Sequence, residues 1–120
     1  MAKVLVVDDS NFQRKWLTKS IKKMGHDTVE AVDGCDGLEK IEAEQPDCII
    51  TDLLMPNMNG IELLEQMRKN DCQIPTVVVT ADIQKDTKTQ CQELGAKGFL
   101  NKPFKHEQLE RAVNICLQGK

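Results

Sequence analysis

Short apolar runs recur along this chain, and a segment with helical spacing follows each of them. That alternation constrains the fold more than any single residue does. Lys3 to Asp8 reads as a strand, and Ser10 then caps a helix that runs to about Met24, where Gly25 supplies the stop. Thr28 to Val32 is a second strand; Asp33-Gly34 turns the chain into a helix over Cys35 to Glu44, which Gln45-Pro46 ends. Cys48 to Asp52 is the third strand, and the loop LLMPNMNG leads to an amphipathic helix over Gly60 to Lys69, with Ile61, Leu64 and Met67 at helical spacing. Pro75 introduces TVVVT, a β-branched fourth strand, before a helix over Lys85 to Leu94. Gly98 to Asn101 is the fifth strand, Lys102-Pro103 breaks it, and His106 to Gln118 closes the pattern with Leu109, Val113, Cys116 and Leu117 on one side.

Repeated βα units predict an α/β fold with a parallel sheet, because parallel neighbours need crossover connections and those are right-handed. Runs such as VLVV and TVVV suit strands buried on both faces, so helices should flank the five-stranded sheet on each side. The 120 residues make one domain, 1–120. A net charge of -3 gives no electrostatic footprint for nucleic acid, and no apolar run is long enough for a signal peptide or membrane span, which points to a cytoplasmic protein. Five cysteines with no CxxC pair, and only two histidines beside them, argue against a zinc site or disulfide framework and for reduced thiols used as small hydrophobes.

In folds of this class ligands bind beyond the carboxyl ends of the strands. There stand Asp8 and Asp9 after the first strand, Asp52 after the third, Thr80 after the fourth and Lys102 after the fifth. Taken singly, each reads as a loop solubiliser or helix cap. Together they need explaining, because like charges ~4 Å apart at an effective dielectric of ~20 repel by about 4 kcal/mol. Three carboxylates on one edge call for a counter-ion, and hard oxygen ligands without His or Cys suit Mg²⁺ or Mn²⁺.

VLVVDDS, the single acid in IITDLLMPNMNG, VVVTA and FLNKPF stand in the order and spacing of response-regulator receiver domains, and the chain resembles the stand-alone, CheY-like members over essentially its whole length. The resemblance implies a flavodoxin-like doubly wound strand order. It implies transfer of a phosphoryl group from a phosphohistidine, on a histidine kinase or histidine phosphotransfer protein, to Asp52. Asp8 and Asp9 then match the acid pair that holds Mg²⁺ with Asp52, the carbonyl of Leu54 matches a further metal ligand, and Lys102 matches the lysine that pairs with acceptor and phosphoryl oxygens. Thr80 matches the switch hydroxyl, Phe99 the aromatic that changes rotamer with it, and Pro103 a proline whose preceding bond is usually cis. On this reading the protein catalyses only its own phosphorylation and dephosphorylation, acts as a monomer or weak dimer in a two-component system or phosphorelay, and signals to a partner protein through an altered surface.

Leu54 and Asp82 depart from the better-known relatives. Both flank the path of attacking water in the family; an apolar Leu54 cannot orient that water, so a long-lived acyl phosphate is expected. Phe12 and Trp16 lie four apart on the first helix, away from the row Leu17, Ile21 and Met24, and fit either a docking patch for the phosphodonor or core packing. Pro56 and Gly60 should shape the loop, with Met55 and Met58 packed beneath it. The chain stops after its fifth helix, so an output domain is not expected and the signal must pass to a partner. Other classes fit less well. An FMN carrier wants a Ser, Thr and Gly-rich phosphate loop where DDSNFQ stands, and a haloacid-dehalogenase-type aspartyl phosphatase wants DxD after the first strand. A receiver-like adaptor that no longer takes phosphate is the nearest alternative, although every chemical position is present.

Overall fold

In a computed structural model that describes residues 2–81 and 84–118, the predicted units form one sheet flanked by helices. The elements are β1 (Lys3–Val7), α1 (Asn11–Lys23), β2 (Asp27–Ala31), α2 (Gly34–Glu44), β3 (Cys48–Asp52), α3 (Gly60–Lys69), β4 (Thr76–Thr80), α4 (Lys85–Glu93), β5 (Gly98–Asn101) and α5 (His106–Gln118). All strand pairs are parallel and the order is β2-β1-β3-β4-β5, the flavodoxin-like arrangement. Strand order reverses at β1 and β3, which places their carboxyl ends side by side.

Alternation along the central strands sorts the core into two layers. Val4 and Val6 face α1 and α5, with Leu17, Ile21, Ile50, Val77, Leu109 and Val113. Leu5 and Val7 face α2 and α3, with Ile41, Ile49, Leu63 and Met67. Leu53, Leu64, Val78 and Cys91 continue that second layer under α4. Each fully buried Val or Leu contributes about 1.5–3 kcal/mol, so the central strands are the stable frame on which polar residues are mounted. Leu63 is wholly buried although the helical spacing of Ile61, Leu64 and Met67 passes over it. It is held because α3 packs both on the sheet and beside α2.

Several boundaries differ by a residue or two from the sequence reading, each for a local reason. β1 stops at Val7, and the Asp8 amide still donates to the Ala31 carbonyl at 3.0 Å while the Asp8 carbonyl turns to a side chain of α1. β2 runs from Asp27 to Ala31 because the Val32 amide is taken by the Asp36 carboxylate at 3.0 Å. α2 begins at Gly34, with Asp33 capping the Asp36 amide. A Cβ at Gly34 would sit 2.6 Å from the Met58 carbonyl oxygen, so only glycine lets the two loops touch. Ser10 caps α1 as expected, accepting from the Gln13 amide at 3.3 Å, and Gly25 follows that helix at φ 91°.

Candidate functional site

The loops at the carboxyl ends of β1 and β3 are fixed before any side chain is placed. After β3 the Gly60 amide donates to the Leu53 carbonyl at 2.8 Å, and a Cβ on Gly60 would lie 2.6 Å from the Asp52 carbonyl oxygen. Asn59 and Glu62 form a reciprocal capping box that starts α3. Asn57, in the left-handed region at φ 67°, donates to the Asp33 carboxylate at 2.8 Å, and the Gly34 amide donates to the Met58 carbonyl at 3.1 Å. Met55 and Met58 pack against the layer under α2 and α3. The LLMPNMNG loop is thus braced from both sides.

On this frame Asp8, Asp9 and Asp52 converge. Asp8 is buried, Asp52 half-buried and Asp9 exposed, and ligand oxygens from all three lie within 4.8 Å of one another. The Asp8 carboxylate accepts from the Ser10 amide at 2.9 Å, and Asp52 accepts from the Leu53 amide at 2.7 Å and from Lys102 Nζ at 3.1 Å. Lys102 Nζ also donates to Gln13 Oε1 at 2.7 Å, so α1 steadies the lysine that β5 delivers. Burial pushes the Asp8 carboxyl above its ordinary value; the Ser10 amide opposes the rise, and the charges of Asp52 and Asp9 outweigh the help of Lys102. Three acids and one ammonium leave the cluster short of positive charge. Its donors are all hard oxygens, at a spacing a small divalent cation bridges, so the residues fit Mg²⁺ or Mn²⁺.

Thr80 ends β4 with 1% of its surface exposed, and the Lys102 amide donates to its carbonyl at 2.8 Å. Phe99 is half-buried against the Leu53, Leu64, Val78 and Cys91 layer, with Lys88 Nζ 5.9 Å from its ring centre. The Lys102–Pro103 peptide bond is cis. Leu54 is 71% exposed, whereas its neighbour Leu53 is buried. Asp82 lies outside the described residues.

Phe12 and Trp16 behave differently from each other. Phe12 is 84% exposed, while Trp16 is half-covered and packs edge-on to Phe104, ring centres 5.7 Å apart. Together with Gln13, Ala81, Lys102 and Pro103 they line a groove of about 570 Å³ that opens beside Asp52's lysine. Neither side chain belongs to the core.

Sequence reasoning passed over a second charged cluster at the same edge. Arg14 is buried, donating to the Asp8 carbonyl at 2.7 Å, to Glu30 Oε1 at 2.8 Å and to Asn11 Oδ1. Lys15 Nζ reaches the other Glu30 oxygen at 2.9 Å. Desolvation would raise the Glu30 carboxyl, but hydrogen bonds and charge from Lys15 and Arg14 outweigh it and hold the group below its ordinary value. The signal was present: Arg14 sits three residues before Leu17 in the apolar row of α1, where an arginine must find partners.

The whole chain has relatives among known proteins. Residues 4–114 match the family described as the response regulator receiver domain. Protein PilH of Pseudomonas aeruginosa is 35% identical, over 99% of this chain and 100% of that protein. The alkaline phosphatase synthesis transcriptional regulatory protein PhoP of Bacillus subtilis is 34% identical over 97% of this chain, which spans 48% of PhoP. The chemotaxis protein CheY4 of Vibrio cholerae superposes with a TM-score of 0.88 at 32% identity, covering 95% of this chain and 97% of that one.

Proposed function

The chain belongs to the response regulator receiver domain family, and on that footing we propose that it accepts a phosphoryl group from a phosphohistidine onto Asp52 and reports the change to a partner protein. The observation that carries this reading is the charge pattern at the β1 and β3 ends: Asp52 lies 3.1 Å from Lys102 and within one cation's span of Asp8 and Asp9.

Asp8, Asp9 and Asp52, with the Leu54 carbonyl, would hold Mg²⁺ or Mn²⁺, which when bound neutralises charge on the phosphoryl oxygens. The remaining work falls to the chain. An Asp52 oxygen attacks phosphorus as the phosphorus–nitrogen bond to the donor imidazole breaks, and the electron pair leaves with the imidazole. Lys102, already within reach of Asp52, stabilises the transferred charge, and the Leu53 amide holds the carboxylate in place. Thr80 then donates its hydroxyl to the phosphoryl group, Phe99 follows into the space vacated, and the α4, β5 and α5 face changes shape. The groove of Phe12, Trp16 and Phe104 next to Lys102 receives the phosphodonor, a histidine kinase or histidine phosphotransfer protein. Beyond this self-phosphorylation and its reversal the protein is not an enzyme. Among the described residues no helix is long and apolar enough to cross a membrane.

Intact-mass measurement after incubation with acetyl phosphate and Mg²⁺ tests the proposal. The wild type gains one phosphoryl group and Asp52→Asn gains none. Equal labelling of Asp52→Asn would move the acceptor elsewhere, and an unlabelled but folded wild type would favour the adaptor.

A further inference from the structure

At the opposite end of the sheet from the acids lies a pair of thiols that phosphoryl transfer does not use. Cys48 is the first residue of β3, of which Asp52 is the last, and Cys116 lies in the last turn of α5. They are 68 positions apart in sequence, yet their Sγ atoms are 2.9 Å apart, the Cys48 thiol donating to the Cys116 sulfur. Both are essentially inaccessible, at 0% and 1% exposure, among Val4, Ile50, Val77 and Val113. A disulfide needs sulfurs about 2.05 Å apart, so closing this pair asks the two sulfurs to approach by roughly a further 0.9 Å.

We propose that Cys48 and Cys116 are a reversible dithiol that closes to an intramolecular disulfide by exchange with a low-molecular-weight disulfide, fastening the end of α5 to the central strand. Entry is through Cys116, because the last turn of a helix opens at lower cost than a central strand. The hydrogen bond from Cys48 holds the Cys116 thiol below its ordinary value against the effect of burial, which favours the attacking thiolate. Cys116 gives up its proton and its sulfur attacks one sulfur of the reagent; that disulfide bond breaks and one reagent thiol leaves. Cys48 then gives up its proton and attacks the Cys116 sulfur, expelling the second reagent thiol. Two cysteine thiols are oxidised, one reagent disulfide is reduced, and the two protons end on the two released thiols.

The experiment uses the whole chain, equilibrated in graded ratios of oxidised to reduced glutathione, alkylated in denaturant and mapped by mass spectrometry without reduction. The expected result is a peptide joining Cys48 to Cys116, lost on adding dithiothreitol, with both residues disappearing together from the alkylated pool. Exposed Cys35 is the internal comparator, because it takes a glutathione cap without closing a ring. Oxidised wild type should also melt at a higher temperature than reduced, a shift absent from Cys116→Ala. The proposal is overturned if both Cys48 and Cys116 remain fully alkylated at ratios that cap Cys35, or if the cross-links formed join other cysteines. The wild-type map alone decides this, even where Cys116→Ala folds poorly.

Discussion

Two clusters of charge share the carboxyl edge of β1, and they are built on opposite principles. Around Arg14 every polar group has its partner: the guanidinium is shared among Asp8's carbonyl, Asn11 and Glu30, and Lys15 takes the second oxygen of the one carboxylate. Around Asp52 three acids face one ammonium. Burial is felt in both, yet the Glu30 carboxyl is held down while the Asp8 carboxyl is pushed up. A satisfied cluster stabilises the fold; an unsatisfied one costs stability until something positive arrives. Arg14 joins the two, since it locks the backbone of Asp8 without neutralising the Asp8 carboxylate.

The largest expected effect comes from the satisfied side. Arg14→Met leaves the Asp8 carbonyl and one Glu30 oxygen without a donor and should cost about 3 kcal/mol, read as a lower urea midpoint at unchanged slope. Loss of less than about 1 kcal/mol would mean that the network is ornamental.

Opposite pH signatures should follow for the two acids. Glu30 is lowered from 4.5, so its stabilisation is present above that value and is lost as pH falls through the lower folded value. Glu30→Gln therefore destabilises by about 1 kcal/mol at neutral pH, with the difference closing in acid. Asp8 is raised from 3.8, so the folded state prefers the proton and the carboxylate's cost grows as pH rises through the folded value. In metal-free buffer Asp8→Asn, which keeps an oxygen for the Ser10 amide, should melt higher than wild type at neutral pH and match it below about 3.8. Midpoints that shift in the same direction for both variants would erase the distinction.

How much of this was legible in the sequence depends on what kind of interaction is being read. VLVV and TVVVT declared strands buried on both faces, and DDS, Asp52, Thr80 and Lys102 stood out as candidates because each ends or follows a strand. The Arg14–Glu30 pair was hidden because the two residues belong to different elements, and nothing in either segment names the other. Gln13 as partner of Lys102 was hidden for the same reason, 89 positions away. Asn59 and Glu62 were within reach, because their spacing is that of a capping box. The difference between Phe12 and Trp16 needed Phe104, which helical spacing on α1 cannot supply.

The smallest expected effect concerns Leu54. If Asp52 carries the phosphoryl group as proposed, the exposed, apolar Leu54 side chain has no hydrogen bond to offer the attacking water, so Leu54→Asn should speed decay of the phosphorylated protein about threefold, roughly 0.7 kcal/mol off the barrier. Decay at the same rate or slower would release Leu54 from that role.

The contrast between the clusters is tested most directly by following the unfolding midpoint as Mg²⁺ is added to wild type, Asp9→Asn, Asp52→Asn and Glu30→Gln. A cation that binds only the folded state adds about 1.4 kcal/mol at ten times its dissociation constant. If the unsatisfied acids form the cation's seat, wild type and Glu30→Gln rise in parallel while Asp9→Asn and Asp52→Asn stay nearly flat; equal rises in all four, or a response lost only in Glu30→Gln, would contradict the account.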